Sequence, residues 1–433
     1  MLACDLVEYI RTVLPNGIRV LVSEMPETRS VSITMYVGVG SRAESRANAG
    51  TSHFLEHMLF KGTAKRPTAA EISWAVEALG GFVNASTDRE VTSFSSRVPA
   101  RHYAVALDVI SDMIRAPLLR AADLEMERNV VVEEIRMYKD QPQDRVHTLI
   151  DELLYPSHPL GWEIAGREPV VRAMTAEGLR AFMDAGYAPG RMVIALAGKL
   201  NAAEATRAVG EHLGHLAARP GLPFAKAPKP SRTRSRVRAR VGKQVHLCIG
   251  WRGVPQRHAD KWTLDMLNAV LGEGMSSRLF LEIREKRALA YDVHSYEANY
   301  SDVGHLVIYA GVAPEKVQEA STAALREVAR LREEPVGENE LERVRDFVKG
   351  RIELRLEDTR GVAGWLAGQE MFYDRIRTVD EICEIVDGVS PADLQRVARQ
   401  YLRPELAYVS AIGPRSAVSG LSAPEPEVME LAS

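Results

Sequence analysis

Cysteine is scarce in this chain, with three residues among 433, at Cys4, Cys248 and Cys383. Three thiols scattered in this way form neither a disulfide framework nor the paired spacing of a cysteine-bound metal. The sequence therefore argues against a disulfide-stabilised secreted protein and against a closed structural zinc site built on cysteine.

Long apolar runs and an excess of one charge are also lacking. No segment is long and apolar enough to span a bilayer, and the formal net charge of −3 gives no reason to expect nucleic acid or a membrane surface as a partner. The basic stretch 221–240 has no aromatic side chain besides Phe224, which is atypical of a nucleic-acid site. Near the start, Asp5 and Glu8 do not suit a transit peptide. We expect a cytoplasmic bacterial protein, with the mitochondrial matrix as the alternative location.

The stretch His53-Phe54-Leu55-Glu56-His57 places three ionisable side chains in an otherwise apolar run. At about 100° per residue, the two histidines and Glu56 lie in one arc of a helix. Burying them unpaired would cost several kcal/mol, so they need a common partner. Two imidazoles four residues apart match the spacing at which zinc is bound. A pair of ordinary core histidines is the alternative interpretation.

A catalytic zinc site has three protein ligands, so a third must come from elsewhere in the chain. We predict a helix over residues 123–139, opened by Asp123 as its N-cap and ended before the following proline. On this helix Glu127 and Glu134 lie seven residues apart and face the core, whereas Glu133 belongs to a continuous polar arc. Two carboxylates facing the core indicate a nearby cation, and Glu133 is expected to be ordinary surface.

Three stretches resemble one family: AGTSHFLEHMLFKGT (Ala49 to Thr63), GGFVNASTDREVTSF (Gly80 to Phe94) and ERNVVVEEI (Glu127 to Ile135). They look like the pitrilysin/insulinase family of zinc metallopeptidases. Within it, they are most similar to bacterial proteins resembling the catalytic (beta) subunit of the mitochondrial processing peptidase. The resemblance covers nearly the whole chain and rests on several separate motifs.

The resemblance implies a set of residue roles. His53, His57 and Glu134 would bind one zinc ion per chain, and Glu56 would be the general base. Glu127 would orient a ligating histidine or stabilise the charge of the metal without binding it. Zinc-activated water would then cut a peptide bond, with Glu56 carrying the proton to the leaving amine. The implied activity is that of a zinc endopeptidase of the inverted HxxEH type.

Strands and helices recur in the same order in two halves of the chain. In the first half we predict a capping box at Thr68 and Glu71 and then a strand from Phe82 to Val98. We expect an α+β fold of two homologous domains, each a mostly antiparallel sheet covered by helices, together forming one half of a clam-shell chamber. The predicted divisions are a catalytic zinc domain 1–220, a linker 221–240, a related domain without a metal motif 241–415, and a disordered tail 416–433.

Two further pairs of residues come from the resemblance. Arg284 and Tyr291 match an Arg and a Tyr that reach the substrate at the zinc, where they would stabilise the oxyanion. Ordinary helix and strand residues are the alternative for both. The small polar residues after Gly81 let another backbone approach a sheet edge, and the resemblance implies that substrate pairs there beside Asn84 and Ala85. Asn84 as a simple turn residue is the alternative.

Larger relatives are implied to build a closed chamber from four such units, and this chain has two. We therefore expect a homodimer, or a heterodimer with a related inactive subunit, acting on extended or unfolded peptides. The alternatives are a non-catalytic zinc-binding assembly subunit and a peptide-binding partner of another peptidase subunit. The intact His53, Glu56 and His57 set argues against both.

Overall fold

The computed structural model describes residues 7–230, 232, 234–373 and 375–422. The described strands are β1 (Ile10–Val13), β2 (Arg19–Glu24), β3 (Ser30–Val37), β4 (Phe82–Thr87), β5 (Thr92–Pro99), β6 (Met192–Gly198), β7 (Ser235–Ala239), β8 (Val245–Gly253), β9 (Ala290–Asn299), β10 (Gly304–Val312) and β11 (Tyr408–Gly413).

The described α-helices follow in chain order, beside several short 3₁₀ turns and a π-helical segment, Phe280–Lys286. They are α1 (Thr51–Leu59), α2 (Ala69–Glu77), α3 (Tyr103–Arg115), α4 (Ala121–Asp140), α5 (Pro142–Leu154), α6 (Glu168–Ala173), α7 (Ala176–Gly186), α8 (Ala202–Leu213), α9 (Lys261–Gly272), α10 (Val317–Glu333), α11 (Glu338–Leu356), α12 (Thr359–Phe372), α13 (Val379–Asp387), α14 (Pro391–Tyr401) and α15 (Arg415–Val418). Within the described part of the chain, none of these helices is both long and apolar enough to cross a bilayer.

The chain divides into two compact units. Unit 1 takes in the described residues of Met1–Arg136, Glu163–Ala225 and Ile352–Asp380. Its sheet has the order β1-β2-β6-β3-β5-β4, with β2 and β6 parallel and the other neighbours antiparallel. β4 therefore lies at an edge of this sheet.

Both faces of the unit 1 sheet are covered because its central strands carry apolar side chains on both sides. Along β2, Val20 and Val22 share a core with Phe54 of α1. Between them, Leu21 points to the opposite face and packs with Ala363 and Leu366 of α12. α12 follows four of the five strands of the second sheet in sequence, but it packs on the first sheet.

Unit 2 takes in the described residues of Met137–Trp162, Lys226–Arg351 and Glu381–Ser433. Its sheet has the order β7-β11-β8-β10-β9, in which β7 and β11 are parallel and the rest antiparallel. Helix α5, from the first half of the sequence, packs on this sheet through Val146 and Ile150 against Cys248 and Tyr309. The predicted α+β class with two mostly antiparallel sheets is confirmed.

The predicted single strand from Phe82 to Val98 is wrong. The chain turns at Asp88, whose backbone N–H donates to the carbonyl of Val91 at 2.8 Å, and β4 and β5 pair as an antiparallel hairpin. The polar run Asp88-Arg89-Glu90 interrupts the alternation of polar and apolar residues that a strand requires, and it forms the turn between β4 and β5. The consequence is that β4 becomes an edge strand.

Other predicted boundaries differ in smaller ways. Helix α4 begins at Ala121, so Asp123 lies inside its first turn and not at the N-cap. In that turn its carboxylate pairs with Arg120 at 2.6 Å. The capping box of Thr68 and Glu71 is confirmed at the start of α2. The stretch predicted as the linker contributes β7, and residues 423–433 of the predicted tail lie outside the described residues.

Candidate metal centre

Helix α1 carries three ionisable side chains on one side because its other side is anchored in the core. Phe54, Leu55 and Met58 have no exposed surface. His53, Glu56 and His57 are left half-buried on the remaining arc. The rings of the two histidines meet edge to face, with centroids 4.6 Å apart.

The start of α1 is held by a buried carboxylate. Glu44 accepts hydrogen bonds from the backbone N–H groups of Gly50 at 2.7 Å and Ser52 at 2.6 Å. Burial raises the pKa of Glu44 to about 7, although these hydrogen bonds and the charge of Arg89 act in the opposite direction. Gly50 is required here because its φ is +99° and a Cβ would lie 2.6 Å from the carbonyl oxygen of Ala165.

Helix α4 brings the two core-facing carboxylates to α1. Glu127 is 5% exposed, and its Oε1 lies 2.8 Å from Nδ1 of His57. Its other oxygen forms an ion pair with Lys61. Oε2 of Glu134 lies 3.7 Å from Nε2 of His53 and 3.6 Å from Nε2 of His57.

These distances can be compared with what one metal ion requires. In His53, His57 and Glu134 the candidate ligand atoms all lie within 4.8 Å of one another. Ligands held tetrahedrally at about 2.0–2.2 Å from one zinc ion are roughly 3.4 Å apart. Two nitrogens and a carboxylate oxygen are also ligands that zinc accepts. The residues therefore fit a three-ligand zinc site, and the described residues contain no other group of three or more His, Cys, Asp or Glu side chains placed in this way.

The two histidines differ in their electrostatics. Burial, aided by the neighbouring His57, lowers the pKa of His53 to about 4, which keeps its imidazole neutral. Burial also acts to lower the pKa of His57, but the hydrogen bond to Glu127 and the surrounding carboxylates outweigh it and raise the pKa. A metal ion at this site therefore competes with a proton at His57 rather than at His53.

The Glu56 side chain points away from the apolar core on which α1 packs, and it contacts the last residue of β4. The hydroxyl of Thr87 donates to Oε2 of Glu56 at 2.6 Å. Burial raises the pKa of Glu56, while the Thr87 hydrogen bond and the charge of His57 oppose the increase. A carboxyl group with a raised pKa is better able to accept and return a proton near neutral pH.

The remaining predicted residues occupy two places. Asn84 and Ala85 lie on the edge strand β4, where Asn84 is exposed and Ala85 packs partly against the unit 1 core. Arg284 and Tyr291 lie together in unit 2: the Arg284 guanidinium donates to the carbonyl of Tyr291 at 2.9 Å and stacks on its ring at 4.5 Å. Tyr291 is 77% exposed. The roles assigned to these four residues stay predictions.

Three residues of this site were not foreseen from the sequence. Lys61 lies one helical turn after His57, and that spacing could have indicated a cation close to Glu127. The contacts of Thr87 with Glu56, and of Glu44 with the start of α1, join distant parts of the chain. Neither leaves a periodic pattern in the sequence.

Comparison with known proteins identifies the family. A family model described as "Insulinase (Peptidase family M16)" matches residues 19–168, and one described as "Peptidase M16 inactive domain" matches residues 173–347. This chain belongs to the insulinase family of peptidases, family M16.

Individual relatives extend over most of the chain. It is 36% identical over 400 residues to the uncharacterized zinc protease YmxG of Bacillus subtilis, covering 92% of this chain and 97% of the relative. It is 36% identical over 415 residues to an uncharacterized zinc protease of Streptomyces coelicolor, covering 93% and 89%. A crystal structure of a protease from Helicobacter pylori shares the fold, with a TM-score of 0.88 at 22% identity and coverage of 95% and 100%.

Proposed function

We propose that this chain is a zinc-dependent endopeptidase that hydrolyses peptide bonds in extended or unfolded peptides. The observation that carries the proposal is that candidate ligand atoms of His53, His57 and Glu134 lie within 4.8 Å of one another. The proton acceptor Glu56 shares the exposed arc of α1 with the two histidines. Membership of the insulinase family and the names of the zinc protease relatives support it.

His53, His57 and Glu134 would hold one zinc ion per chain. When bound, zinc polarises the scissile carbonyl and makes an attacking water more acidic. Glu56 accepts the proton of that water at its carboxylate and returns it to the leaving nitrogen. Thr87 keeps one carboxylate oxygen of Glu56 in place during both transfers.

Glu127 acts through His57. Its hydrogen bond to Nδ1 fixes the ring so that Nε2 faces Glu134, and the ion pair with Lys61 keeps the Glu127 carboxylate ionised. The pKa of Glu127 is accordingly low, because the His57 and Lys61 hydrogen bonds outweigh its burial. Lys61 is thus a positioning residue that acts on the ligand His57 through Glu127.

Substrate binds along β4 as an added strand. This strand lies at the sheet edge, and its last residue, Thr87, contacts Glu56. A peptide paired with the Asn84 and Ala85 backbone would pass the catalytic carboxylate. Recognition through the backbone favours extended peptides over a strict sequence motif.

Arg284 and Tyr291 stabilise the oxyanion, either within the chain or from a second copy or an inactive relative in a dimer. The bacterial relatives support a bacterial cytoplasmic location over the mitochondrial matrix.

Substitution of Glu56 tests the proposed function. Glu56→Gln should keep its zinc, because Glu56 is not a ligand, and should lose roughly 10²- to 10⁴-fold in peptide hydrolysis with the loss of the general base. Zinc content and cleavage of a quenched fluorescent peptide are measured on the same preparation. Glu77→Gln, at an exposed position on α2, serves as the matched control.

The wild-type protein supplies the second arm of this experiment. A chelator should abolish hydrolysis and added zinc should restore it. Near-normal turnover by Glu56→Gln would remove Glu56 from the mechanism. Stoichiometric zinc without any turnover in the wild-type protein would instead favour a non-catalytic zinc-binding subunit or a peptide-binding partner.

A further inference from the structure

A polar cavity of about 490 Å³ lies beside β4 in unit 1. Polar side chains from three neighbouring strands form its floor. The strand register places Thr34, Ser95 and Asn84 in one row, and Tyr36, Ser93 and Ser86 in the next. The hydroxyls of Ser86 and Ser93 are 2.7 Å apart.

Two arginines supply the charge of this cavity. Arg355 at the end of α11 and Arg360 at the start of α12 both line it. Neither guanidinium forms an ion pair with a carboxylate in the described part of the chain.

The acidic side chain among the cavity residues is already engaged. Asp358 pairs with Arg97 at 3.2 Å and accepts the backbone N–H of Gly361 at 2.7 Å, which caps α12. The cavity therefore combines surplus positive charge with hydroxyl and amide groups, a combination that suits a carboxylate.

The cavity and the proposed chemistry share the edge strand β4 but lie on opposite faces of the sheet. Thr87, which contacts Glu56, is three residues from Asn84 along β4, or roughly 10 Å at the rise of a strand. Side chains of a strand alternate between faces. A peptide added along β4 would thus direct every second side chain toward the face that carries Asn84 and Ser86.

We propose that this cavity is a substrate subsite that selects an acidic side chain, with Arg355 and Arg360 binding its carboxylate. The proposal rests on the proposed endopeptidase function and adds a substrate class to it: extended peptides with Asp or Glu near the scissile bond. Asn84 has a place in this subsite as a polar neighbour of the bound carboxylate.

Peptide binding to the catalytically disabled Glu56→Gln protein tests the subsite without turnover. A single Glu is moved along a poly-Gln-type fluorescent peptide of fixed length, with both ends blocked, and each Kd is measured by anisotropy. We expect Glu to tighten binding about threefold to tenfold at one peptide position, or at two positions that are two residues apart and face the cavity. At the intervening positions, which face the other way, Glu should have no effect.

The arginine variants identify the binding groups. Arg355→Gln and Arg360→Gln are each added to the Glu56→Gln protein. Each should remove most of the difference in affinity between the Glu peptide and the Gln peptide. Higher salt should reduce the same difference in the Glu56→Gln protein itself. Arg343→Gln, at an exposed position on α11 outside the cavity, should leave this difference intact. Because each variant is judged by a ratio between two peptides, a general loss of folded protein does not imitate the result. Circular dichroism and zinc content confirm that the variants fold.

Several outcomes would overturn the proposal. A Glu preference without alternation, or one that survives in the Arg355→Gln, Arg360→Gln double variant, would place the selecting group elsewhere. If the blocked peptides show no preference and a matched peptide with a free C-terminal carboxylate binds more tightly, the cavity binds the peptide end instead. If wild-type enzyme cleaves Glu and Gln peptides equally well, the subsite fails and the endopeptidase stands. If it cleaves neither, the proposed function itself fails.

Discussion

His57 is held in place by a chain of contacts that begins at Lys61. The ammonium pairs with Glu127, and Glu127 binds Nδ1 of the ring, which leaves Nε2 facing Glu134. Each group is satisfied by the next, so the carboxylate can be 5% exposed without an unpaired charge. The contact of Glu127 with Nδ1 thus leaves Nε2 of His57 as the nitrogen that faces the candidate metal position.

The adjacent carboxylates Glu133 and Glu134 give the sharpest test at the residue scale. The Glu134 side chain is 23% exposed and faces both histidines, whereas that of Glu133 is 69% exposed and pairs with Arg136 at 2.7 Å. We expect Glu134→Gln to lower zinc affinity and kcat/KM by about tenfold to a hundredfold or more, because a ligand charge is lost. Glu133→Gln should stay within about twofold, as a solvated surface pair contributes little.

Metal analysis after dialysis against a weak chelator, with kinetics on the same samples, measures both effects. If the two variants exchanged phenotypes, the assignment of the ligand on α4 would be wrong by one residue.

At the scale of elements, helix α5 is the clearest case of packing across the sequence. His147 on this helix lies in a cluster of aromatic and imidazole rings on the unit 2 sheet. Its Nδ1 is 2.7 Å from the hydroxyl of Tyr296, and its ring is 5.0 Å from that of Tyr309. His246, His294, Asp292 and Cys248 of the neighbouring strands also face it.

This cluster predicts how stability depends on pH. Burial, with His294 and His246 nearby, lowers the pKa of His147 to about 4 from 6.5. The unfolded chain therefore binds a proton between these values that the folded chain does not. The contribution of His147 to the free energy of unfolding should fall by roughly 2–3 kcal/mol as pH drops from 6.5 to 4, and it should be constant above pH 6.5.

Urea unfolding of the metal-free protein at a series of pH values measures this slope. His147→Asn, which retains a polar group near the Nδ1 position, should flatten the slope by about that amount. His215→Asn, at an exposed position, should leave it unchanged. An equal slope in the wild-type protein and His147→Asn would mean that another group controls the acid sensitivity.

At the scale of the whole molecule, the candidate metal residues belong to unit 1 and Arg284 and Tyr291 belong to unit 2. If the chain is half of a chamber, Arg284 and Tyr291 can serve the zinc of a partner chain. His53→Ala and Tyr291→Phe should then each be poorly active alone. Mixed dimers of the two should regain activity, up to about half of the wild-type sites at best, because one intact zinc meets one intact Tyr291.

Co-expression with two different affinity tags isolates the mixed dimers for this assay. Homodimers of each variant, purified in the same way, are the controls. Failure to recover activity in proven mixed dimers would mean that both groups act within one chain, or that a different subunit supplies its own pair.

Much of the site was predictable because it depends on the spacing of residues within single helices. A helix repeats every 3.6 residues, so the spacing of His53, Glu56 and His57 fixed their common face, and the same reasoning separated Glu134 from Glu133. The structure brings His53, His57 and Glu134 together as predicted. The small polar residues after Gly81 likewise indicated a sheet edge at Asn84, and β4 lies at an edge.

Only the tertiary structure decided the contacts between distant segments. Helices α5 and α12 pack on sheets that lie far from them in sequence. The apolar face of a helix predicts that the face is buried, but it does not predict which sheet it packs on. For the same reason the sequence could not place Arg355 and Arg360 beside β4, or Glu44 at the start of α1. By itself the sequence determined which side chains of α1 and α4 are candidate metal ligands, since the face that each occupies on its own helix depends on local spacing. The surroundings that orient them depend on long-range packing, which only the folded chain specifies.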